Sequence, residues 1–174
     1  KRLLATRQVL VDGRIETDLG RGVGLMDVLT VGEDSFRCIL DVNGKLRYRS
    51  ISDKAATSKL CRVMGKSTIT DGKTQIHLHD GRNILVSDAK LYDSGDTLVI
   101  SLPDQSVAGH HPFSKGATAY LTGGSHIGIT AKVVSRDIKR SSKPNEVQFP
   151  DFGTVADYVF IIGADKDLPL EVKA

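Results

Sequence analysis

The sequence predicts a mainly β protein with little α-helix, organised as small β domains and barrels. The first observation is composition, because the 174 residues include 17 glycines and no tryptophan, with only 5% aromatic residues. The second is the recurrence of Asp-Gly and Asn-Gly dipeptides, which allow the positive φ angles that a two-residue hairpin turn requires. The third is the alternation of apolar and polar residues between these turns, which is typical of short strands with one buried face.

The N-terminal segment predicts the end of a helix followed by a hairpin. Residues 1–8, KRLLATRQ, have the pattern of the last turns of a helix, and no initiating Met precedes them. We therefore expect a chain whose N-terminus is truncated. In QVLVDGRIETD, Val9 and Val11 alternate before the turn dipeptide Asp12-Gly13, which predicts a hairpin.

The central part of the chain contains further turn dipeptides between alternating stretches, and each predicts another hairpin. They are Asn43-Gly44, Asp71-Gly72 and Asp80-Gly81. The segment Ser94–Asp104 predicts a turn followed by a strand. Pro103 ends that strand because proline cannot donate a hydrogen bond to a sheet.

One helix is predicted among these strands, over Ser52–Val63. Ser52 suits the N-cap position, and the carboxylate of Asp53 suits the positive end of a helix. Three apolar residues lie on one face at helical spacing, which predicts that this face packs against the core. They are Ala56, Leu60 and Val63.

The last third of the sequence predicts a linker and then a second β region. The segment Val107–Ala117, with small residues and a proline, is typical of a linker. Strands are predicted in Gly116–Gly124, in Ala131–Asp137 and in the later EVQF and DYVFIIG segments. The polar and basic stretch Ile138–Glu146 predicts a loop between them.

Composition narrows the possible functions. The formal net charge of +3 and the pI of about 8.9 are compatible with a polyanionic partner. Cys38 and Cys61 form no cluster, so they predict buried thiols in a reducing compartment rather than disulfides or a zinc site. No signal peptide and no apolar run of transmembrane length is present, so we expect the cytoplasm.

A search for catalytic and metal-binding patterns is negative. The sequence contains no GxSxG, no phosphate-binding Gly-Lys-Ser/Thr loop and no HExxH. His77 and His79 share one strand face, and His110 and His111 lie in the predicted linker. Nothing completes a metal site around them, so we expect histidines exposed to solvent or RNA. We predict no catalytic residue, no metal, no cofactor and no small-molecule substrate.

The basic residues are better organised, because they fall into groups on separate hairpins and loops. One group flanks the N-terminal hairpin, and another crowds the predicted loop at 138–146. Lys45, Arg47 and Arg49 alternate on the strand after Asn43-Gly44, so their side chains share one face. Several basic hairpins that can each contact phosphates predict nucleic-acid binding.

Several segments, in order, resemble small-subunit ribosomal protein four of the archaeal/eukaryotic type. QVLVDGRIETD looks like the hairpin of its S-four RNA-binding module, and GLMDVLTV (24–31) resembles the segment that closes this module. FRCILDVNGKLRYRSIS, KLCRV and HDGRNILVSD resemble the central segment of the family. GATAYLTGGSHIG followed by VVSRD resembles its KOW motif, and YVFIIG its last strand.

This resemblance implies three parts. Residues 1–31 would be the C-terminal part of an S-four-type αL RNA-binding module, truncated at its start. Residues 32–109 would form a central small β domain, and residues 110–174 an SH3-like KOW barrel and tail. The resemblance also implies a structural constituent of the small ribosomal subunit that binds ribosomal RNA, supports translation, contacts neighbouring ribosomal proteins and has no enzymatic activity.

Two other functions share parts of this pattern. KOW barrels also occur in transcription-elongation factors, but those chains do not combine an S-four hairpin with this central segment. S-four modules also occur in RNA-modifying enzymes, which need a catalytic Asp in a Gly-Arg-Leu-Asp-like loop. Neither DGRIETD nor DGRNILV supplies that aspartate.

The predicted RNA-binding residues combine the basic groups with the glycine turn of the KOW segment, where the backbone can approach RNA closely. Many family members carry a basic residue and a glycine where this chain has Ile129 and Ala131, and we expect Lys132 and Arg136 to compensate. The full predicted set is Lys1, Arg2, Arg7, Arg14, Arg21, Lys45, Arg47, Arg49, Gly123, Gly124, His126, Lys132, Arg136, Lys139 and Arg140.

Overall fold

The computed structural model of the protein describes residues 2–69 and 72–163. Within these ranges the fold is mainly β, as the sequence predicts. The helices are α1 (Arg2–Ala5) and α2 (Asp53–Ala56). The strands are β1 (Val9–Val11), β2 (Arg14–Ile15), β3 (Val28–Val31), β4 (Asp34–Leu40), β5 (Leu46–Ile51), β6 (Ser58–Thr68), β7 (Thr74–Leu78), β8 (Asn83–Val86), β9 (Thr97–Ser101), β10 (Val107–His111), β11 (Thr118–Leu121), β12 (Thr130–Lys132), β13 (Ser135–Asp137), β14 (Glu146–Gln148), β15 (Gly153–Val155) and β16 (Val159–Gly163).

The first sheet has the strand order β2-β1-β3-β4-β5 and contains the predicted N-terminal hairpin. Asp12 and Gly13 have φ angles of 51° and 75°, the two positive values of a type I′ turn. The turn between β3 and β4 lies at Gly32, where the chain also has a positive φ. The predicted domain boundary at residues 31 and 32 therefore falls in a turn between two paired strands.

The second sheet has the order β10-β9-β6-β7-β8, with β6 paired on both sides. The helix predicted over residues 52–63 is wrong after its first turn, because α2 ends at Ala56 and β6 begins at Ser58. The N-cap is confirmed, since the Ser52 hydroxyl accepts a hydrogen bond from the Ala55 N–H at 3.4 Å. Leu60 and Val63 belong to different apolar clusters, one on each face of β6, rather than to one helical stripe.

The linker predicted over Val107–Ala117 is also wrong in its first half, which forms β10. This strand pairs antiparallel with β9, and an irregularity at Gly109 absorbs a shift in register. The small residues that suggested a linker serve close packing instead, because Gly109 faces the Val99 side chain. The predicted boundary between residues 109 and 110 lies inside this strand.

The C-terminal part contains two small sheets, in the orders β12-β11-β16 and β13-β14-β15. Strands β11, β14 and β16 confirm the predicted strands, whereas β15 was not predicted. The single strand predicted over Ala131–Asp137 is wrong, because β12 and β13 belong to different sheets. Val133 is buried between them, in a cluster that fills the space between the two sheets.

The parts of the chain are joined by a shared apolar cluster. Met26, Ile39, Leu60, Tyr120 and Phe160 are buried together, although they come from segments far apart in sequence. Across the described residues, no helix has the length and apolar character needed to cross a membrane. The predicted tail after residue 163 and the aspartate of the Asp71-Gly72 turn lie outside the described residues.

Candidate nucleic-acid interface

The basic group on β5 lies at the edge of the first sheet. Arg47 and Arg49 pair with Ile39 and Arg37 of β4, so they share one strand face as predicted, whereas Lys45 lies just before the strand rather than in it. The Arg47 side chain is 62% exposed, and its Nε donates to Asp41 Oδ2 at 3.1 Å. This side chain is therefore positioned by a carboxylate and still accessible to a ligand.

Asp41 holds the turn before β5. Its Oδ1 accepts hydrogen bonds from the Lys45 and Asn43 N–H groups at 2.9 and 2.8 Å. The Lys45 N–H is the main cause that lowers the pKa of Asp41, with Arg47 acting in the same direction and desolvation opposing it. The carboxylate is thus ionised near neutral pH, and it organises the turn and Arg47 together.

The glycine loop at 122–128 packs against this same turn. A Cβ atom on Gly128 would lie 2.5 Å from the Asp41 carbonyl oxygen, and one on Gly44 would lie 3.1 Å from Ile127 Cδ1. His126 belongs to this loop, which packs on the turn that precedes β5. Its ring stacks on Phe152, with the ring centroids 4.0 Å apart.

Gly123 and Gly124 pack against the side chain of Tyr158. A Cβ atom on Gly123 would lie 2.5 Å from Tyr158 Cδ1, and one on Gly124 would lie 3.5 Å from Tyr158 Cδ2. The Thr122 N–H also donates to the Tyr158 carbonyl oxygen at 2.9 Å. Glycine at position 123 is therefore required by packing within the protein, independently of RNA.

The late basic group is divided between exposed and internally bonded side chains. Lys132 and Arg140 are exposed. Arg136 is half-buried, with its guanidinium 4.5 Å from the centre of the Phe113 ring, and Lys139 forms an ion pair with Glu146. Arg136 and Lys139 thus have structural partners that the sequence did not indicate.

The N-terminal basic group lies at the other side of the first sheet. Arg2, Arg7 and Arg14 are exposed, and Arg14 is in β2, at the opposite edge from β5. Arg21 is exposed and lies 3.7 Å from a Glu16 carboxylate oxygen. The structure therefore unites the β5 group with the glycine loop, whereas the N-terminal group forms a separate surface. Lys1 lies outside the described residues.

Sequence reasoning missed a buried ionic cluster around Lys59, whose side chain is 1% exposed. Lys59 Nζ donates to Asp12 Oδ2 at 3.0 Å, to Asp27 Oδ1 at 2.5 Å and to Asp80 Oδ2 at 2.8 Å. Arg82 forms ion pairs with Asp12 and Asp80. The available signal was a lysine beside the apolar residues Leu60 and Cys61, but its partners are distant in sequence.

In this ionic cluster, attraction between opposite charges offsets the effect of desolvation on the pKa values. Burial alone would lower the pKa of Lys59, but the hydrogen bonds that it donates to Asp27 and Asp80 and the charge of Asp12 raise the pKa above its usual value. Burial would raise the pKa of Asp80, and Lys59 and Arg82 outweigh that effect and lower it. Lys59 and Asp80 therefore stay ionised near neutral pH, and the ion pair of Lys59 with Asp12 attaches the N-terminal hairpin to the second sheet.

A polar cavity of about 410 Å³ lies beside this cluster, between the loop at residues 20–25 and the turn at residues 79–82. Ligand atoms of Cys61, His79 and Asp80 lie within 4.8 Å of one another, and His79 and Asp80 line the cavity. His79 Nδ1 accepts from the Arg62 N–H, and its Nε2 faces the Leu25 carbonyl oxygen, each at 3.2 Å. Because both ring nitrogens of His79 have protein partners, and the Asp80 carboxylate is bound by Lys59 and Arg82, these residues do not fit a metal ion.

The expectation of exposed histidines is wrong, because all four of them are partly buried, and His79 and His110 have well-defined internal partners. His79 follows β7 instead of lying in it, and its ring packs edge-to-face on Phe160 with centroids 5.2 Å apart. Burial is the main cause that lowers the pKa of His79. His110 is partly buried in β10, with Nε2 at 2.7 Å from Asp96 Oδ2. Both rings stabilise the protein internally.

The fold and its surfaces define the class of this protein. It is a β-rich protein whose basic and glycine-containing turns suit a polyanionic partner. A family model described as ribosomal family S4e matches residues 32–107. The small ribosomal subunit protein eS4 of Methanococcus aeolicus is 37% identical over 180 residues, covering 95% of this chain and 72% of that protein. The eS4 protein of Methanosphaera stadtmanae is 38% identical over 172 residues, covering 95% of this chain and 70% of that protein.

A solved structure agrees with these relatives. The crystal structure of the 30S ribosomal protein S4e from Thermoplasma acidophilum matches with a TM-score of 0.86 and 32% identity. The match covers 95% of this chain and 85% of that chain. The chain belongs to the ribosomal family S4e.

Proposed function

We propose that this protein is a structural constituent of the small ribosomal subunit, where it binds ribosomal RNA and supports translation without catalysing a reaction. The observation that carries this proposal is the identity of 35–38% with small ribosomal subunit proteins eS4 across at least 95% of the chain. Neighbouring ribosomal proteins are the other proposed partners, and the ribosome in the cytoplasm is the proposed location.

The proposed RNA contacts follow from charge and exposure. Folded RNA is recognised mainly through shape, phosphates and 2′-hydroxyl groups, so arginine and lysine on exposed turns are suitable contacts. The proposed set comprises two basic surfaces, one at each edge of the first sheet, together with the glycine loop and four cations of the C-terminal part, of which Lys132 and Arg140 are exposed. Its members are Lys1, Arg2, Arg7, Arg14, Arg21, Lys45, Arg47, Arg49, Gly123, Gly124, His126, Lys132, Arg136, Lys139 and Arg140.

We propose that the chain is organised in three parts, which are residues 1–31, residues 32–109 and residues 110–174. The match of the family model to residues 32–107 supports the central part. Surfaces on different parts would contact RNA at separate points, and linked weak contacts add through tethering. Such a protein would position RNA segments relative to one another.

Co-sedimentation tests this function. The full-length tagged protein is expressed in its own cells, and ribosomal subunits are separated on a sucrose gradient at moderate salt. We expect one copy per small subunit and none in the large-subunit fractions. Sedimentation with RNA polymerase alone, or at the top of the gradient with free RNA, would overturn the proposal.

A further inference from the structure

Strand β5 has an open edge, because it is the last strand of its sheet. The Tyr120 hydroxyl bonds both backbone groups of Leu40, donating to its carbonyl oxygen and accepting from its N–H at 3.0 Å. Leu40 is paired with Leu46, so this pair exchanges no backbone hydrogen bonds. The backbone groups of Leu46 therefore point away from β4, towards the open edge.

The next alternate pair has the same geometry. The Cys38 N–H donates to the Asp27 carbonyl oxygen at 2.9 Å, and its carbonyl accepts from the Met26 N–H at 2.8 Å. Both backbone groups of Cys38 therefore face away from Tyr48, its partner on β5. In an antiparallel ladder this orients the Tyr48 backbone outwards as well.

Side chains on both faces of β5 surround these open backbone groups. Leu46 and Tyr48 are 47% and 52% exposed on one face, and Val42 in the preceding turn is 45% exposed. Arg47 lies on the opposite face, because side chains alternate along a strand. An exposed aromatic ring, open amide groups and an accessible guanidinium therefore occur within three consecutive residues.

The charge around this edge indicates the kind of partner. Lys45, Arg47 and Arg49 are all basic, and the neighbouring Asp41 is buried and already paired with Arg47. An acidic partner is thus favoured. Duplex RNA presents its phosphates but keeps its bases stacked, whereas unpaired nucleotides can stack on an aromatic side chain while arginine binds the phosphates.

We propose that the open edge of β5 binds an unpaired segment of RNA, with a base stacked on Tyr48 and a phosphate bound by Arg47. This inference rests on the proposed ribosomal function and specifies which form of RNA this surface binds. Leu46 and Val42 extend the apolar side of the surface, and the outward backbone groups of Leu46 and Tyr48 hydrogen-bond base edges or phosphate oxygens.

Filter binding of the full-length protein to small-subunit ribosomal RNA tests the proposal, with Tyr48→Ala, Tyr48→Phe and Arg47→Ala compared. Loss of the stacking ring in Tyr48→Ala should weaken binding about 5- to 150-fold without changing the salt dependence. Tyr48→Phe keeps the ring and should bind like the unaltered protein. Arg47→Ala should reduce the slope of log affinity against log salt by about one.

Leu85→Ala is the matched control, because Leu85 is also an exposed apolar residue, on the distant strand β8. It should leave binding unchanged, and thermal unfolding should confirm that all variants fold. A single-stranded oligonucleotide should compete for the Tyr48-dependent part of binding, whereas a duplex of the same sequence should not. Photocrosslinking should attach a nucleotide to the peptide that contains Leu46–Ile51.

Three outcomes separate this inference from the proposed function. Unchanged affinity in both Tyr48→Ala and Arg47→Ala, with the unaltered protein still bound to small subunits, would overturn the inference alone. Loss of a neighbouring protein from the subunit in Tyr48→Ala, with RNA affinity unchanged, would assign the edge to a protein strand and also overturn it. Failure of the unaltered protein to bind small subunits or their RNA would overturn the proposed function.

Discussion

Lys59 Nζ lies 2.8 Å from Asp80 Oδ2, and this ion pair joins the central strand of the second sheet to the turn that follows β7. The same ammonium is bound by Asp12, in the turn between β1 and β2, and by Asp27, in the segment before β3. One buried lysine therefore binds carboxylates that lie up to 47 positions away from it in the sequence. The relative placement of the N-terminal hairpin depends on this cluster.

Lys59→Met should strongly destabilise the protein. The substitution keeps an apolar stem of similar length but leaves three carboxylates without their shared cation. Removing one partner from a buried ion pair costs about 3–5 kcal/mol. Urea denaturation should show this loss, and Lys54→Met on the exposed surface of α2 should stay within about 0.5 kcal/mol of the unaltered protein. Similar midpoints for the two variants would contradict a structural role for the cluster.

Stability should fall as the pH drops below about 6.5, in part because of His79. Burial holds the pKa of this ring below its ordinary value, so the unfolded chain takes up the proton first. The contribution of His79 to the free energy of unfolding is fully present above the pKa that this ring has in the unfolded chain. It is lost as the pH falls through the lower pKa of the ring in the folded protein. Urea denaturation from pH 8 to 5 should give a shallower pH dependence for His79→Gln. Parallel curves for both proteins would show that the His79 pKa is the same in the folded and unfolded states.

Gly123→Ala should destabilise the C-terminal part, because its Cβ would lie 2.5 Å from the Tyr158 ring. Overpacking of this kind costs about 1–3 kcal/mol. Gly22→Ala is the matched control, since a Cβ there meets nothing within 4 Å. Thermal denaturation should show a lower midpoint for Gly123→Ala alone. The double variant with Tyr158→Ala should lose less stability than the sum of the two single variants; strict additivity would contradict the contact.

Arg14→Ala should weaken binding to small-subunit ribosomal RNA and reduce the salt slope by about one, as expected for a lost phosphate contact. Lys90→Ala, an exposed cation outside the proposed surfaces, should change neither quantity. Arg14 and Arg47 lie at opposite edges of the first sheet, so their effects should add. A salt titration by filter binding measures both quantities, and an unchanged slope for Arg14→Ala would remove this residue from the proposed contacts.

The candidate site was predicted from sequence only in part. Alternation along β5 correctly placed Arg47 and Arg49 on one face, because side-chain direction in a strand is a local property. Exposure is not local, so the contacts of Arg136 with Phe113 and of Lys139 with Glu146 could not be read from spacing. The exposed Tyr48 on the other face of the same strand was missed for the same reason.

The sequence by itself determined the mainly β class and most of the hairpins. The positive φ angles of dipeptides such as Asp12-Gly13 depend on only a few atoms, so their turns can be predicted without knowledge of the rest of the chain. Ordered motifs across the chain also identified the family before the fold was known.

Only the tertiary structure decided which segments became β6 and β10 and where the charged residues lie. Ser58–Thr68 is a strand because neighbours on both sides complete its hydrogen bonds, and helical spacing of its apolar residues cannot outweigh those bonds. The same long-range pairing places Lys59 among three carboxylates and leaves Tyr48 at an open edge. Contacts between residues distant in sequence set burial, and burial decides which charges stabilise the fold and which are available to a partner.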